Sequence, residues 1–311
     1  MSSQDVRAGS TPGRWHGIYP ILYAFWSAEG GIDEAAMGKQ VEHCIAAKAH
    51  GIAVLGLVTE VHKMDVNERL ALVEMVGGLI GGRVPYAVTI AEPSAAGQVA
   101  FAKAAARAGA DWVILQPPAA KGASEAELVR LFGTVADAVD VDVAVQNNPV
   151  NLDVSLSVDG LVTLNRQHPN IAILKGEGYS VDIQRAIEGS GGAYAVFGGH
   201  GGLEFPALLR SGGAGLIPAP DFLAAQVALY EAWRTGDQDR AEAIHRAILP
   251  TIVFMTRSVP GMLCYGKRLL AERIGVEVLH ERAPALAPTP FGLAETARHA
   301  KAIAAVTPCG G

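Results

Sequence analysis

The feature that most constrains the fold of this 311-residue chain is a regular alternation of short apolar runs with longer, alanine-rich helical stretches. Runs such as ILYAF, IAVLGL and WVILQ contain almost no polar residue, which is typical of parallel strands buried on both faces. Eight such strands are predicted, at Gly17–Phe25, Gly51–Leu57, Val84–Ile90, Trp112–Gln116, Asp142–Asn147, Ile171–Lys175, Ala193–Phe197 and Ala214–Ile217. Eight strand–helix units predict an α/β chain folded as a (β/α)8 TIM barrel. An open doubly wound sheet is the alternative, but no glycine fingerprint follows the first strand.

The stretches between these runs have the pattern of amphipathic helices. They are Asp33–Ala49, Asn67–Ile80, Pro93–Ala108, Ser124–Val139, Val181–Glu188 and Gly202–Ser211. Asp33 and Asp65 are predicted to cap helices, and Pro93 suits a first helical turn.

The strand runs end near residue 220, and only helical runs follow. Leu223–Arg234 is predicted as the last barrel helix, and Asp237–Met255 and Met262–Ile274 as helices of an appendage. We therefore expect a disordered tail over residues 1–14, a barrel over 15–235 and a C-terminal helical extension over 236–311.

Composition and charge exclude several classes of function. The 25 Lys and Arg against 31 Asp and Glu give a net charge of −6, so no basic surface for a nucleic-acid partner is expected. The apolar runs are too short to span a membrane, and the first 15 residues lack the apolar core of a signal peptide. Three unevenly spaced cysteines form neither a disulfide framework nor a zinc pattern. These features predict a cytoplasmic protein without a membrane or nucleic-acid partner.

Lys175 is the residue with the clearest chemical meaning. It ends the apolar run IAILK, and active sites of barrels lie at the carboxyl ends of the strands. Desolvation lowers the pKa of an ammonium group and favours the free amine, which can attack a ketone. The alternative is a structural lysine paired with Glu177, two positions on and on the same strand face.

A glycine-rich turn follows the seventh predicted strand. The backbone N–H groups around Gly199 could hold a carboxylate or phosphate, or the turn could simply need positive φ angles. His200 is either a proton carrier or an exposed loop histidine.

Two further patterns are interpreted as structural. Glu60 and His62 could form a metal pair, but no other ligands accompany them, so no metal site is predicted. Residues 261–267 copy most of a P-loop, yet Arg268 stands where Ser or Thr must bind magnesium, and no strand precedes them. No cofactor is expected.

With these pieces in place, the chain resembles the dihydrodipicolinate synthase / N-acetylneuraminate lyase family of class I Schiff-base aldolases. The resemblance runs from about Gly17 to the C-terminal helices, through GIYPILYAFWSAEGGID, HGIAVLGLVTE, GRVPYAVTI, AGADWVILQPP, VAVQNNP and ILKGEG. It implies that Lys175 forms a Schiff base with a 2-keto acid. It also implies a homo-oligomer, a dimer or tetramer.

The departures from the family pattern fall on its catalytic groups. Leu57 and Val58 stand where the family has two adjacent threonines, and Thr59 is the nearest hydroxyl. Gln146 stands in place of the fifth-strand tyrosine, and Asn151 near the arginine that grips the second substrate of the synthase. VQNNP and Lys175-Gly176-Glu177 are instead similar to the 2-keto-3-deoxy sugar acid dehydratases of the same family.

This resemblance implies a lyase acting on a 2-keto acid, by dehydration or retro-aldol cleavage. Glu177 is then expected to be the acid/base, with Tyr23 supplying the missing phenol. Expected substrate contacts are the backbone of Val58 together with Thr59, Gln146, Asn147, Gly199 and His200. The alternatives are a pyruvate-dependent aldolase or synthase, a deaminase or decarboxylase of a cyclic amino acid, and a barrel that has lost catalysis and serves as a binding protein.

Overall fold

The computed structural model describes residues 13–118, 122–149, 152 and 154–306. Most of the predicted tail, residues 1–12, lies outside this part, as does Asn151.

Eight parallel strands form one curled sheet. They are β1 (Gly17–Ile18), β2 (Ile52–Val54), β3 (Tyr86–Ile90), β4 (Trp112–Leu115), β5 (Asp142–Asn147), β6 (Ile171–Gly176), β7 (Ala195–Gly198) and β8 (Gly215–Leu216). Their order is β1-β8-β7-β6-β5-β4-β3-β2. The two ends of the sheet meet beyond β1, where Ile21 bridges Ala53 and the Leu22 N–H donates to the Ala53 carbonyl at 3.0 Å. The prediction of eight parallel strands is confirmed.

The first strand is much shorter than the predicted run Gly17–Phe25. Pro20 lies inside that run, and proline has no N–H to continue a ladder of hydrogen bonds. Beyond Pro20 the chain keeps only isolated contacts with β2, so the segment follows the sheet without remaining a regular strand.

An aromatic cluster fills the interior of the curled sheet. Tyr19, just after β1, packs edge-to-face on Trp112 of β4 and on Phe197 of β7, with ring centroids 5.2 and 5.5 Å apart. Trp112 and Phe197 are themselves 5.8 Å apart. Because these side chains come from strands far apart in the sheet, their contact requires the sheet to curve around them.

Helices follow the strands along the chain. They are α1 (Glu34–Ala46), α2 (Val66–Ile80), α3 (Ala95–Arg107), α4 (Glu125–Ala136), α5 (Val158–Gln167), α6 (Ser180–Gly189), α7 (Phe205–Arg210), α8 (Leu223–Arg234), α9 (Gln238–Thr256), α10 (Val259–Gly261), α11 (Lys267–Ile274) and α12 (Pro290–Val306). A π-helical turn, Met262–Gly266, joins α10 to α11. The helices α5 and α12 were not among the sequence predictions.

The predicted helix starts are confirmed at two of three positions. Asp33 caps α1 and Asp65 caps α2, each accepting a hydrogen bond from a backbone N–H of the first turn. The prediction for Pro93 is wrong, because α3 starts two residues later and Ser94 is its cap. The Ser94 hydroxyl accepts from the Gly97 N–H, which places Pro93 before the helix.

The region after α8 contains α9 to α12. No single helix among the described residues is long and apolar enough to span a membrane. Gln238–Thr256 and Val259–Ile274 meet that test only as a pair, and they are bent by 109° at their junction. At this bend, residues 256–259 and Met262 line a cavity together with Lys175 of β6.

Candidate active site

Lys175 lies at the carboxyl end of β6, a strand in which all six residues are buried. In the sheet register it is paired with Gln146 of β5 and Phe197 of β7. Its side chain is 6% exposed, and its Nζ is 3.6 Å from Oε1 of Glu177. The strand therefore presents a nearly buried amine at the mouth of the curled sheet.

The Glu177 carboxylate is fixed by two amides. Gln146 and Asn148 each donate a side-chain N–H to Oε2, the latter at 3.0 Å, while Oε1 faces Lys175. Gln146 and Asn148 are two residues apart, so they extend from the same side of the chain. The arrangement leaves one oxygen fully engaged and the other available to the lysine and a ligand.

Further amides continue this network across the sheet. Gln116, after β4, donates from Nε2 to Oε1 of Gln146 at 2.8 Å. Gln98 of α3 in turn donates to the Gln116 carbonyl at 3.0 Å. Because Gln116 binds the Gln146 oxygen, the Gln146 amide nitrogen is oriented towards Glu177.

A cavity of about 200 Å³ lies at this end of the sheet, with Lys175 and Glu177 in its wall. Of the other residues predicted for the site, Val58 and His200 also line it. Its remaining lining residues are Ile21, Leu57, Asn148, Gly201, Ile217, Pro218, Ala219, Thr256, Arg257, Ser258, Val259 and Met262. Asn148 and Arg257 were not predicted. Alternation along β5 could have indicated Asn148, whereas no local pattern marks Arg257.

Gly199 lies in a neighbouring cavity of about 220 Å³, which shares Glu177 and His200 with the first. A Cβ atom at Gly199 would be 2.2 Å from Oε1 of Glu177. Only a glycine leaves room there for the carboxylate. Gly199 therefore allows Glu177 to lie against the backbone of this turn.

Thr59 and Asn147 use their side chains within the protein. The Thr59 hydroxyl is fully buried, donates to the Leu22 carbonyl at 2.7 Å and accepts from the Leu55 N–H. The Asn147 amide makes two hydrogen bonds with the backbone of Leu156. Neither residue lines the cavity with Lys175.

Tyr23 is also fully buried and does not line that cavity. Its hydroxyl has no hydrogen-bond partner among the described residues, and it lies beside Asp221 at a point where Gly266 leaves space. Burial raises the pKa of Tyr23 well above its ordinary value, as do the nearby carboxylates of Asp221 and Glu60. Burial likewise raises the pKa of Asp221 to about 7.

Glu60 belongs to a buried ionic cluster beside the site. Lys267 contacts Oε1 of Glu60 at 2.5 Å, and Lys63 contacts Oε2 at the same distance. Burial alone would raise the pKa of Glu60, but the two lysines hold it below its ordinary value. Lys267 also pairs with Glu281 at 3.0 Å. The P-loop-like segment thus ends in a lysine that binds a carboxylate of the protein.

The described residues contain no group of three or more His, Cys, Asp or Glu side chains placed to hold a metal ion. His62 lines a separate cavity with Glu60 and Lys63.

Comparison with known proteins identifies the family. The model of the dihydrodipicolinate synthetase family matches residues 14–307. The chain belongs to this family. Members of the dihydrodipicolinate synthetase family are lyases, and relatives of this chain are named as synthase, aldolase and dehydratase. The predicted family and the prediction of an enzyme are both confirmed.

Relatives within the family differ in their named reactions. The chain is 29% identical over 240 residues to the 4-hydroxy-tetrahydrodipicolinate synthase of Acidiphilium cryptum, covering 76% of this chain and 81% of the relative. It is 28% identical over 253 residues to the L-2-keto-3-deoxyarabonate dehydratase of Azospirillum brasilense, covering 79% of this chain and 81% of the relative. The crystal structure of YagE from Escherichia coli K12 in complex with pyruvate superposes with a TM-score of 0.85 at 25% identity. The match covers 95% of this chain and 100% of the YagE chain.

Proposed function

We propose that this protein is a Schiff-base-forming lyase that acts on a 2-keto-3-deoxy sugar acid, as a dehydratase or an aldolase. The observation that carries the proposal is the nearly buried amine of Lys175, 3.6 Å from a Glu177 carboxylate that two amides hold in place. The name of the Azospirillum brasilense relative, L-2-keto-3-deoxyarabonate dehydratase, supports the substrate class.

The first step forms the covalent intermediate. The neutral amine of Lys175 attacks the C2 ketone, and Glu177 accepts the proton that the nitrogen releases. Loss of water from the resulting carbinolamine gives an iminium, which withdraws electrons from C3. Glu177 is near enough to Nζ to serve both proton transfers without a change of position.

The second step depends on which bond of the substrate breaks. In a dehydration, Glu177 removes a C3 proton and the C4 hydroxyl leaves as water after protonation. In a retro-aldol cleavage, the C4 hydroxyl loses its proton and the C3–C4 bond breaks, which releases an aldehyde and leaves the enamine of pyruvate. The enamine of pyruvate first takes up a proton at C3, and hydrolysis of the Schiff base then consumes one water and regenerates Lys175.

The surrounding residues are assigned by their positions. The backbone of Val58, which lines the cavity at the turn after β2, is proposed to hold the C1 carboxylate. Asn148 and His200 also line the cavity and are proposed to contact substrate hydroxyls. Gln146 is proposed to orient Glu177, and the buried Tyr23 is proposed to support the site without touching the substrate.

A pyruvate-dependent synthase is the second candidate, because the Acidiphilium cryptum relative is named as a 4-hydroxy-tetrahydrodipicolinate synthase. Both reactions begin with the same iminium on Lys175. The synthase candidate is weakened by Leu57, Val58 and Gln146, which replace the two threonines and the tyrosine of the family pattern.

We also propose that the protein is a cytoplasmic homo-oligomer, a dimer or tetramer, which light scattering at micromolar concentration would test. Residues 236–311 are proposed as a helical extension of a barrel over 15–235. Residues 256–259 and Met262 of this extension line the cavity.

The proposed function is tested by trapping the intermediate. The protein is incubated with pyruvate or with 2-keto-3-deoxy sugar acids, reduced with cyanoborohydride and mapped by peptide mass. We expect an adduct on Lys175 that is lost in Lys175→Ala. Lys103→Ala, which removes an exposed lysine on α3, serves as the control and should keep the adduct. The proposal is wrong if the folded protein gives no adduct with any keto acid.

A further inference from the structure

Arg257 is a cationic residue in the wall of the cavity, and the proposed reaction gives it no role. It follows α9 directly, is exposed, and lines the same cavity as Lys175 and Glu177. Among the described lining residues it is the only arginine, and Glu177 is the only carboxylate. The cavity therefore carries a positive group at its exposed side in addition to the buried lysine.

The guanidinium of Arg257 has no ion pair or hydrogen bond with the described residues. Other arginines of the chain, such as Arg69, Arg268 and Arg282, each pair with a glutamate. Glu177 shares the cavity but makes no ion pair with Arg257: its Oε2 accepts from the amides of Gln146 and Asn148, and its Oε1 faces Nζ of Lys175.

The neighbours of Arg257 are engaged with the backbone. The Thr256 hydroxyl donates to the Ile252 carbonyl at 2.8 Å, and the Ser258 hydroxyl accepts from the Gly261 N–H at 3.1 Å. These bonds fix the segment that joins α9 to α10. Arg257 is thus a long side chain on an anchored backbone, with its donors available to a ligand.

We propose that Arg257 binds a second anionic group of the substrate, at the end remote from the ketone. This inference rests on the proposed function, because that function places the C1 carboxylate beside Lys175. A guanidinium presents two parallel N–H donors that match the two oxygens of a carboxylate. The structure thus points to a keto acid with a terminal carboxylate, and a terminal phosphate shares the same chemistry.

The size of the cavity agrees with a short substrate of this kind. Its volume of about 200 Å³ lies just below the roughly 300–1,000 Å³ that is typical of pockets for small molecules. An open-chain acid of five or six carbons would extend from the buried lysine towards the exposed arginine. Recognition at both ends would then select for chain length as well as for charge.

The test uses three six-carbon 2-keto-3-deoxy acids that differ only at C6, which carries a carboxylate, an alcohol or a phosphate ester. The readout is the concentration that gives half-maximal trapping of Lys175 by cyanoborohydride, which requires binding but no turnover. We expect the carboxylate-terminated acid to be trapped at the lowest concentration. Arg257→Gln should raise that concentration about ten- to a hundred-fold, the range for a lost charged hydrogen bond, and leave the value for the alcohol-terminated acid unchanged.

Arg246→Gln is the matched control, since Arg246 is an exposed arginine of α9 that does not line the cavity. Equal effects of Arg257→Gln and Arg246→Gln, or equal effects on the alcohol- and carboxylate-terminated acids, would overturn the inference. A preference for the phosphate ester that is lost in Arg257→Gln would support the anion site and assign it to phosphate. Pyruvate tests the proposed function separately: its adduct on Lys175 should form in wild type and in Arg257→Gln alike.

Discussion

At the scale of single residues, the position of Glu177 depends on Gly199, which has no side chain to displace the carboxylate. Two amides hold Oε2 from one side, and the backbone of Gly199 lies against Oε1 on the other. A carboxylate confined in this way has little freedom to rotate. Its distance from Nζ of Lys175 is therefore set by the protein and not by the substrate.

Gly199→Ala is expected to impair the enzyme without unfolding it. The new methyl group would lie 2.2 Å from Oε1 of Glu177 and would displace the carboxylate from Lys175. We expect kcat to fall at least about ten-fold, because a general acid/base contributes about 10²–10⁴-fold and would here be misplaced. Steady-state kinetics on the substrate found by trapping is the measurement.

Gly178→Ala is the matched control for this variant. A methyl group at Gly178 would meet its nearest neighbour, a carbon of Pro149, at 4.0 Å, which is an ordinary contact. An equal loss of activity in both variants would show that the loop, and not the Glu177 contact, matters.

The same residues show which parts of the site were predictable. Lys175 and Glu177 follow from their place at the end of a buried strand, and the structure places their charged atoms together. Asn147 was chosen over Asn148, yet it is Asn148 that lies two positions from Gln146 and shares its contact with Glu177. The strand pattern could not predict Arg257, because this residue lies outside the strands. It lines the same cavity as Lys175 because the chain bends between α9 and α10.

At the scale of elements, the buried pair of Glu60 and Lys267 joins the turn after β2 to the start of α11. The two residues are 207 positions apart in the chain. Their charges have no access to solvent and are compensated within the protein: Glu60 by Lys267 and Lys63, and Lys267 by Glu60 and Glu281. The pair fixes α11 beside the strand ends that carry the site.

Lys267→Met is expected to lower the free energy of unfolding by about 3 kcal/mol, because it leaves the Glu60 charge buried with only Lys63 as partner. The double variant Glu60→Gln, Lys267→Met should be less destabilised than the single variant, because the buried Glu60 charge is gone, while Lys63 keeps the Arg282 carbonyl and Glu281 keeps Arg268. Chemical denaturation measures both.

Arg298→Met removes an exposed ion pair with Glu295 and serves as the control. It should change stability little, because exposed pairs are weak. If Lys267→Met were no more destabilising than this control, the buried pair would not hold α11 in place.

The positions of the strands in the sequence were more predictable than the positions of the helices. The apolar runs marked all eight strands, because burial on both faces leaves a continuous signal in the sequence. The helix α5 was missed, although Ser157 caps it and its apolar positions follow a helical period. The predicted first strand, Gly17–Phe25, is too long, because Pro20 has no N–H to donate and interrupts the hydrogen-bond ladder.

At the scale of the whole molecule, burial of Asp221 couples stability to pH. Burial raises its pKa from the ordinary value of 3.8 to about 7, and Arg273 lowers it only in part. A carboxyl group whose pKa is higher in the folded state binds a proton on folding. Its contribution to stability is therefore present at low pH and is lost as pH rises from about 4 to about 7.

Asp221→Asn is expected to remove this dependence, since an amide of similar size has no proton to lose. Relative to wild type, the variant should gain about 3 kcal/mol between pH 5 and pH 8, because wild type loses about 1.4 kcal/mol for each of the roughly two pH units between pH 5 and the folded pKa of about 7. Denaturation curves of both proteins at the two pH values give the difference. If the stabilities of wild type and Asp221→Asn changed with pH in parallel, Asp221 would not be the group that couples stability to pH.

The aromatic cluster of Tyr19, Trp112 and Phe197 has a consequence for synthesis of the chain. Trp112 and Phe197 are 85 residues apart, so at about 5–20 residues per second a ribosome adds the second roughly 4–17 seconds after the first. During that interval the nascent sheet has an open edge and an indole without its final neighbour. Until Gly215–Leu216 has been synthesised and can pair with Gly17–Ile18, the sheet cannot close.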